Sequence, residues 1–242
     1  MMSGCLSAPT PSADLEETPT PTTPTTQTAT VVWFPPTSTP TSLPAQDTTP
    51  TPDFRPGLGD VILTDNFSNP DPWTLVKTTS TSVALGRNEL TIAIQGAKTY
   101  EFSARKEPIL SDFYLEITTG PTLCRGEDEY GLLFRMVSPD DFYRFALSCD
   151  GKVRLERVLS GTAAPIQPWI QSGAVPPGAP SISHLAVWAS GDELRFFIAG
   201  EYLFSVTDSK LPGGNIGLFA RSTGDTAVTV NFSELIVREL EQ

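Results

Sequence analysis

From residue 57 to residue 242 the chain reads as all-β, a two-sheet antiparallel jelly-roll sandwich preceded by a disordered Pro/Thr-rich spacer. Three observations predict this class. Short runs rich in Val, Ile, Leu, Phe and Tyr recur every 8 to 14 residues, turn residues separate them, and no stretch holds apolar residues at a sustained helical period. About a dozen such strands with alternating faces suit two sheets packed face to face.

The runs come in this order. DVILTDNF (60–67) opens the domain and TSVALGRNELTIAIQ (81–95) follows, then KTYEFSARK (98–106) and DFYLEITTG (112–120). EYGLLFRMV (129–137), DFYRFALS (141–148) and KVRLERVL (152–159) form a predicted meander. SHLAVWAS (183–190) places Trp188 among Leu185 and Val187, which assigns its ring to the core. ELRFFIAG (193–200), EYLFSV (201–206), GNIGLFAR (214–221) and TAVTVNFSELIV (226–237) complete the set.

The meander admits a register. With Ser138 to Asp141 as a four-residue loop, Tyr130 faces Cys149, Leu132 faces Leu147, Phe134 faces Phe145 and Met136 faces Tyr143. In the next loop Gly151 supplies the positive φ of a three-residue hairpin, so Leu147 meets Val153 and Phe145 meets Leu155. That apolar face is the expected core. The reverse face then carries Arg135, Arg144 and Glu156 in one cross-strand row, with Lys152 and Arg154 nearby. Two opposed arginines repel unless a carboxylate stands beside them, and Glu156 is placed to do so. The row is either a solvated charge ladder or a polar binding surface, since guanidinium forks bind sugar hydroxyls and carboxylates. Trp169, in the proline-flanked PIQPWIQSG, is the expected exposed ring at its edge, whereas Trp73 is assigned to the core.

Composition narrows the partners. The 242 residues are 39% hydrophobic and 18% charged, which suits one globular domain plus unstructured sequence. A formal charge of −12 with no basic cluster excludes nucleic acid as an expected partner. No apolar run reaches the roughly 18 to 20 residues of a membrane span, so any membrane attachment is expected to be a tether.

Residues 8–56 hold 12 of the 23 prolines and 15 threonines, with Arg55 their single basic side chain. Such a stretch has too little apolar surface to offset ordering entropy. Fully extended it would reach on the order of 150 Å. An apolar island, Val31 to Phe34 with Trp33, interrupts it and is either a sticky patch or a docking segment. Residues 57–242 are expected to fold without it. Ahead of it, MSGC followed by a Ser/Pro/Thr stretch resembles the cleavage end of a bacterial lipoprotein signal, which makes residues 1–7 a signal remnant and Cys5 the lipidation site. The basic and apolar regions of a full signal are absent before Met2, so the true start is expected upstream. With Cys5 set aside, Cys124 and Cys149 form one pair, and a bridge between them would add about 3 to 4 kcal/mol and imply an oxidising compartment.

The order DNFSNPDPW, YGLLFRMVSPDDFYRFALSCDGKVRLERV, SHLAVWASGDELRFFIAGEYLFSV and GNIGLFARSTGDTAVTVNFSELIV resembles the concanavalin A-like lectin/glucanase sandwiches, especially laminin G-like and 3-keto-disaccharide hydrolase-like domains. The resemblance spans nearly all of residues 59–238. It implies that the first strand, near Phe67, lies beside the last, near Phe232, and that a concave sheet carries any glycan. Two positions depart from the pattern: Ala199-Gly200 replaces an Asn-Gly turn, and Ser233-Glu234 replaces an acidic pair, which puts a structural calcium in doubt.

Catalysis finds little support in the residues. Retaining glucanases of this fold set carboxylates about 5 Å apart at alternating strand positions. The nearest cluster, GEDEYGLL, offers Glu127 and Glu129, but Leu132 stands in the third place. Glu127, Asp128 and Glu129 read as a solvated loop. His184 has no second histidine to build a zinc site with and reads as structural. The NFS triplets at Asn66 and Asn231 read as strand-end coincidences. No cofactor is expected. The expected function is a monomeric, lipid-anchored, extracytoplasmic bacterial surface protein that binds glycan or cell-envelope polysaccharide without catalysis. The alternatives are a hydrolase of the 3-keto-disaccharide type and a protein-protein adhesion module.

Overall fold

The computed structural model describes residues 53–241; Cys5, the Val31–Phe34 island and the 8–56 spacer up to residue 52 lie outside them. Fifteen strands and no helix make up the described chain. They are β1 (Leu58–Asp65), β2 (Val76–Lys77), β3 (Thr81–Gly86), β4 (Glu89–Ile94), β5 (Tyr100–Ala104), β6 (Phe113–Leu123), β7 (Glu129–Ser138) and β8 (Asp141–Ser148). The remainder are β9 (Lys152–Leu159), β10 (Thr162–Gln171), β11 (Ser183–Ser190), β12 (Glu193–Ile198), β13 (Glu201–Thr207), β14 (Asn215–Arg221) and β15 (Val228–Leu240).

Two antiparallel sheets result. The nine-stranded sheet runs β13-β12-β11-β6-β15-β4-β3-β2, and the six-stranded sheet runs β10-β9-β8-β7-β14-β5. β15 spans the first sheet and serves two partners on one edge: β4 pairs with Val228 to Phe232, and β1 with Leu235 to Leu240. The first strand thus lies beside the last, as the family resemblance implies. The jelly-roll sandwich expected from the strand punctuation is the observed fold.

Alternation in each strand sends one face inward. Phe113, Leu115 and Ile117 of β6, Leu185 and Val187 of β11, and Val230 and Phe232 of β15 meet Tyr130, Leu132 and Phe134 of β7, Phe145 and Leu147 of β8, and Val153 and Leu155 of β9. Aromatic rings bridge the layers, with Phe145 and Phe196 centroids 4.8 Å apart. Each large side chain so buried stabilises by roughly 1.5–3 kcal/mol relative to exposure.

The strands depart from the sequence reading in three places. Residues 81–95, read as one run, are the β3-β4 hairpin, whose turn residues Arg87 and Asn88 sit at φ 57° and 60°. β10 escapes a strand reading because Pro165 and Pro168 interrupt it; prolines are tolerated there because β10 is an edge strand. The β8-β9 pairing matches the expected register, Phe145 opposite Leu155 and Leu147 opposite Val153. The β7-β8 pairing does not. Tyr130 faces Leu147, Leu132 faces Phe145 and Phe134 faces Tyr143, two residues off: Ser138 pairs with Asp141 at the expected turn, and a bulge between Phe134 and Ser138 then shifts the rest of the strand. A two-residue slip keeps every side chain on its face, so Tyr130, Leu132 and Phe134 still point into the core.

That bulge displaces Arg135, which adopts φ 46° and is fully buried. Its guanidinium donates to the Ser111 carbonyl at 2.7 and 3.1 Å and to the Leu211 carbonyl at 3.3 Å. Gly214 makes this possible: a Cβ there would lie 2.5 Å from the Arg135 carbonyl carbon. The expected row of Arg135, Arg144 and Glu156 is therefore corrected to Leu133, Arg144 and Glu156.

Candidate functional site

The outer face of the six-stranded sheet is built from alternate residues of its strands. Tyr100 and Phe102 come from β5, Phe219 and Arg221 from β14, Glu129 and Leu133 from β7, Arg144 and Ala146 from β8, Arg154 and Glu156 from β9, and Trp169 from β10. Gly131 leaves room at the centre. Its φ of 151° brings the Phe145 carbonyl so close that a Cβ would be 2.2 Å from the oxygen, so only glycine fits.

Three arginines and two glutamates form a continuous ladder across this face. Arg144 Nε donates to Glu156 Oε2 at 2.7 Å, and its Nη2 donates to the same oxygen. Arg154 joins the two carboxylates, 3.0 Å from Glu156 Oε1 and donating to Glu129 Oε2 at 2.8 Å. Arg221 ends the ladder 3.6 Å from Glu129 Oε1 and is the most exposed member, with 41% of its side chain accessible. Glu129, Arg144 and Glu156 are buried and Arg154 partly so, which is tolerable because each charge has an opposite partner within the ladder.

Aromatic rings lie against two of the ladder's arginines. The Arg154 guanidinium lies 4.5 Å from the Trp169 ring, and that of Arg144 lies 5.6 Å from Tyr100 and 5.7 Å from Phe219. Burial pushes the Tyr100 phenol up to about 12, with Arg144 opposing. The structure thus brings Arg144, Glu156 and Trp169 onto one face, as the sequence reading placed them, and sets Arg135 apart. It adds Arg154, Glu129, Arg221 and Tyr100. Arg154 was visible beside the expected row; Arg221 and Tyr100 come from β14 and β5, whose pairing no local signal specifies.

The acidic loop differs from its expected solvation. Only Glu127 is exposed, 3.8 Å from Lys152. Asp128 is buried and accepts from the backbone N–H groups of Arg125 at 3.0 Å and Thr223 at 2.9 Å, while Glu129 belongs to the ladder. Leu132, in the third glucanase position, faces the core. Beside this loop Cys124 and Cys149 form a disulfide, Cα atoms 5.9 Å apart. Trp73 is in the core, donating to Asp65 at 3.0 Å. Trp188 is buried on the outer face of the nine-stranded sheet, not between the sheets. There residues 53–56 cover it: Trp188 Nε1 donates to the Pro56 carbonyl at 3.0 Å, and Phe54 stacks on Tyr202 at 4.1 Å.

No family model matches the chain, and no curated protein matches it. Solved structures share its fold. A carbohydrate-binding module of Bacillus subtilis is 19% identical, covering 69% of this chain and 96% of its own, with a TM-score of 0.54. The catalytic domain of an endo-1,3-β-glucanase (laminarinase) from Thermotoga petrophila is 9% identical over 76% of this chain and 98% of its own, TM-score 0.54. A Bacillus subtilis protein with a galectin-like fold is 9% identical over 76% and 99%, TM-score 0.55. These likenesses show the fold alone, a two-sheet antiparallel β-sandwich.

Proposed function

We propose that this protein binds glycan or cell-envelope polysaccharide on the outer face of the six-stranded sheet, without cleaving it, and that Cys5 is its lipid anchor at an extracytoplasmic bacterial surface. The observation that carries the glycan reading is the Trp169-Arg154 pair at the edge of the ladder. A sugar needs a flat ring to stack on and planar hydrogen-bonding groups beside it, and this edge supplies both. Arg144 and Glu156 act here by holding Arg154 in place. Support also comes from the fold, which is shared with a carbohydrate-binding module and a laminarinase catalytic domain.

The non-catalytic reading rests on the carboxylates. Glu129 and Glu156 are engaged by arginines, so neither is free to serve as acid or nucleophile. A glycan array probed with the full chain, followed by product analysis on every hit, tests the proposal. Bound, uncleaved glycan is expected; released oligosaccharide would favour the hydrolase alternative, and binding to protein ligands alone would favour adhesion.

A further inference from the structure

The opposite side of the sandwich carries a feature that the glycan reading leaves unused. A groove of about 680 Å³ crosses the outer face of the nine-stranded sheet, with Ala186 and Ile236 as floor and Glu116, Thr118, His184 and Glu234 along its sides. Small residues keep it open: Ala186 on β11, and the Ala199-Gly200 turn between β12 and β13. On β15 a bulge between Ser233 and Ile236 inserts Glu234 at φ 55°. Bulges re-aim side chains, and a non-glycine residue in the left-handed region costs free energy that glycine would avoid.

The re-aimed carboxylate accepts the Thr118 hydroxyl at 3.0 Å, and Thr118 Oγ1 lies 3.0 Å from His184 Nδ1. Thr118 has one proton, which goes to Glu234. Its oxygen must therefore accept from His184 Nδ1–H. Glu116 accepts the Tyr114 hydroxyl at 2.7 Å with Oε1. Among the described residues neither Glu116 nor Glu234 forms a salt bridge. The Arg55 guanidinium, which donates to the Tyr114 hydroxyl, offsets part of the Glu116 charge, so it is Glu234 that sets an unpaired carboxylate beside the aliphatic residues of the groove. Its complement is a cationic group with several N–H donors on an alkyl stem.

We infer that this groove is a second binding site, taking a primary alkylammonium group. A free polyamine and a lysine side chain of a partner protein share that chemistry. The site is independent of the glycan face.

His184 is the single histidine of the chain, so its ring protons report on the groove without assignment. The full chain is titrated with putrescine and with acetyl-lysine amide at constant pH and ionic strength, with 1-butanol as the uncharged control. Saturable shifts of the His184 signals are expected with one or both amines and not with butanol; the tighter amine identifies the source. Glu234→Gln and Glu234→Gly should each weaken binding about tenfold, the loss of one charge-assisted hydrogen bond. Glu234→Gly also relieves the left-handed backbone, so it should remain folded and melt no lower than the parent. Equal shifts with butanol, no shift with either amine, or unchanged affinity in both folded variants would overturn the inference.

Discussion

Arg144 and Glu156 sit within an apolar patch: Leu133, Ala146 and Phe219 are fully buried around them. A charge in such a place is stable only while paired. Arg144→Ala leaves Glu156 with Arg154 alone and should cost roughly 3 kcal/mol in urea denaturation, the lower end for a broken buried pair. The double variant Arg144→Met with Glu156→Leu should recover most of that loss, because no uncompensated charge remains. An exposed ladder would show neither effect. The tyrosines give a second test. Burial raises Tyr100, Tyr114 and Tyr130 to about 12 and raises Tyr143 as well. A folded pKa above the unfolded value of about 10 leaves stability unchanged below pH 10, and stability falls as pH rises toward 12. Phenolate absorbance followed during alkaline titration should rise together with unfolding over that window. Phenols that ionise near pH 10 in a protein still folded would contradict the burial described.

At the scale of elements, strand punctuation made the sandwich legible, because period-2 runs separated by turns need no long-range information. The register of β8 and β9 was legible too, since Gly151 sets the turn. That of β7 and β8 was not: the bulge at Arg135 depends on Gly214 packing against it from β14's approach, a contact nearly 80 residues away by the numbering. The same bulge removed Arg135 from the expected site and left Arg144, Glu156 and Trp169 on it. β10 was hidden by its prolines, and Trp188 is buried as expected but on the outer face, opposite Leu185 and Val187, as strand alternation requires. What buries Trp188 is residues 53–56, at the end of the Pro/Thr-rich stretch. A chain beginning at residue 58 should therefore be about 1–2 kcal/mol less stable than one beginning at residue 53, through loss of the Phe54 stack and the hydrogen bonds to Trp188 and Arg195. Equal denaturation midpoints would show that this cover contributes nothing. Replacing Cys124 and Cys149 with serine should cost about 2–5 kcal/mol by the same measurement.

For the whole molecule, the two outer faces differ in character. The six-stranded sheet shows a paired ladder edged by Trp169; the nine-stranded sheet shows an acceptor-lined groove and receives the chain at residue 53. If Cys5 is the lipid anchor proposed above, Cys5→Ser in cells should move the protein from the membrane fraction to the soluble one. The central claim is glycan binding at the Trp169 edge, and it is tested most directly by calorimetric titration of the full chain with the strongest array hit, beside Trp169→Ala. Trp169 is half-buried at a sheet edge, so its loss should leave the melting temperature nearly unchanged. Affinity should fall about 30-fold, the weight of one stacked aromatic anchor. Undiminished affinity in a correctly folded Trp169→Ala protein would contradict the account.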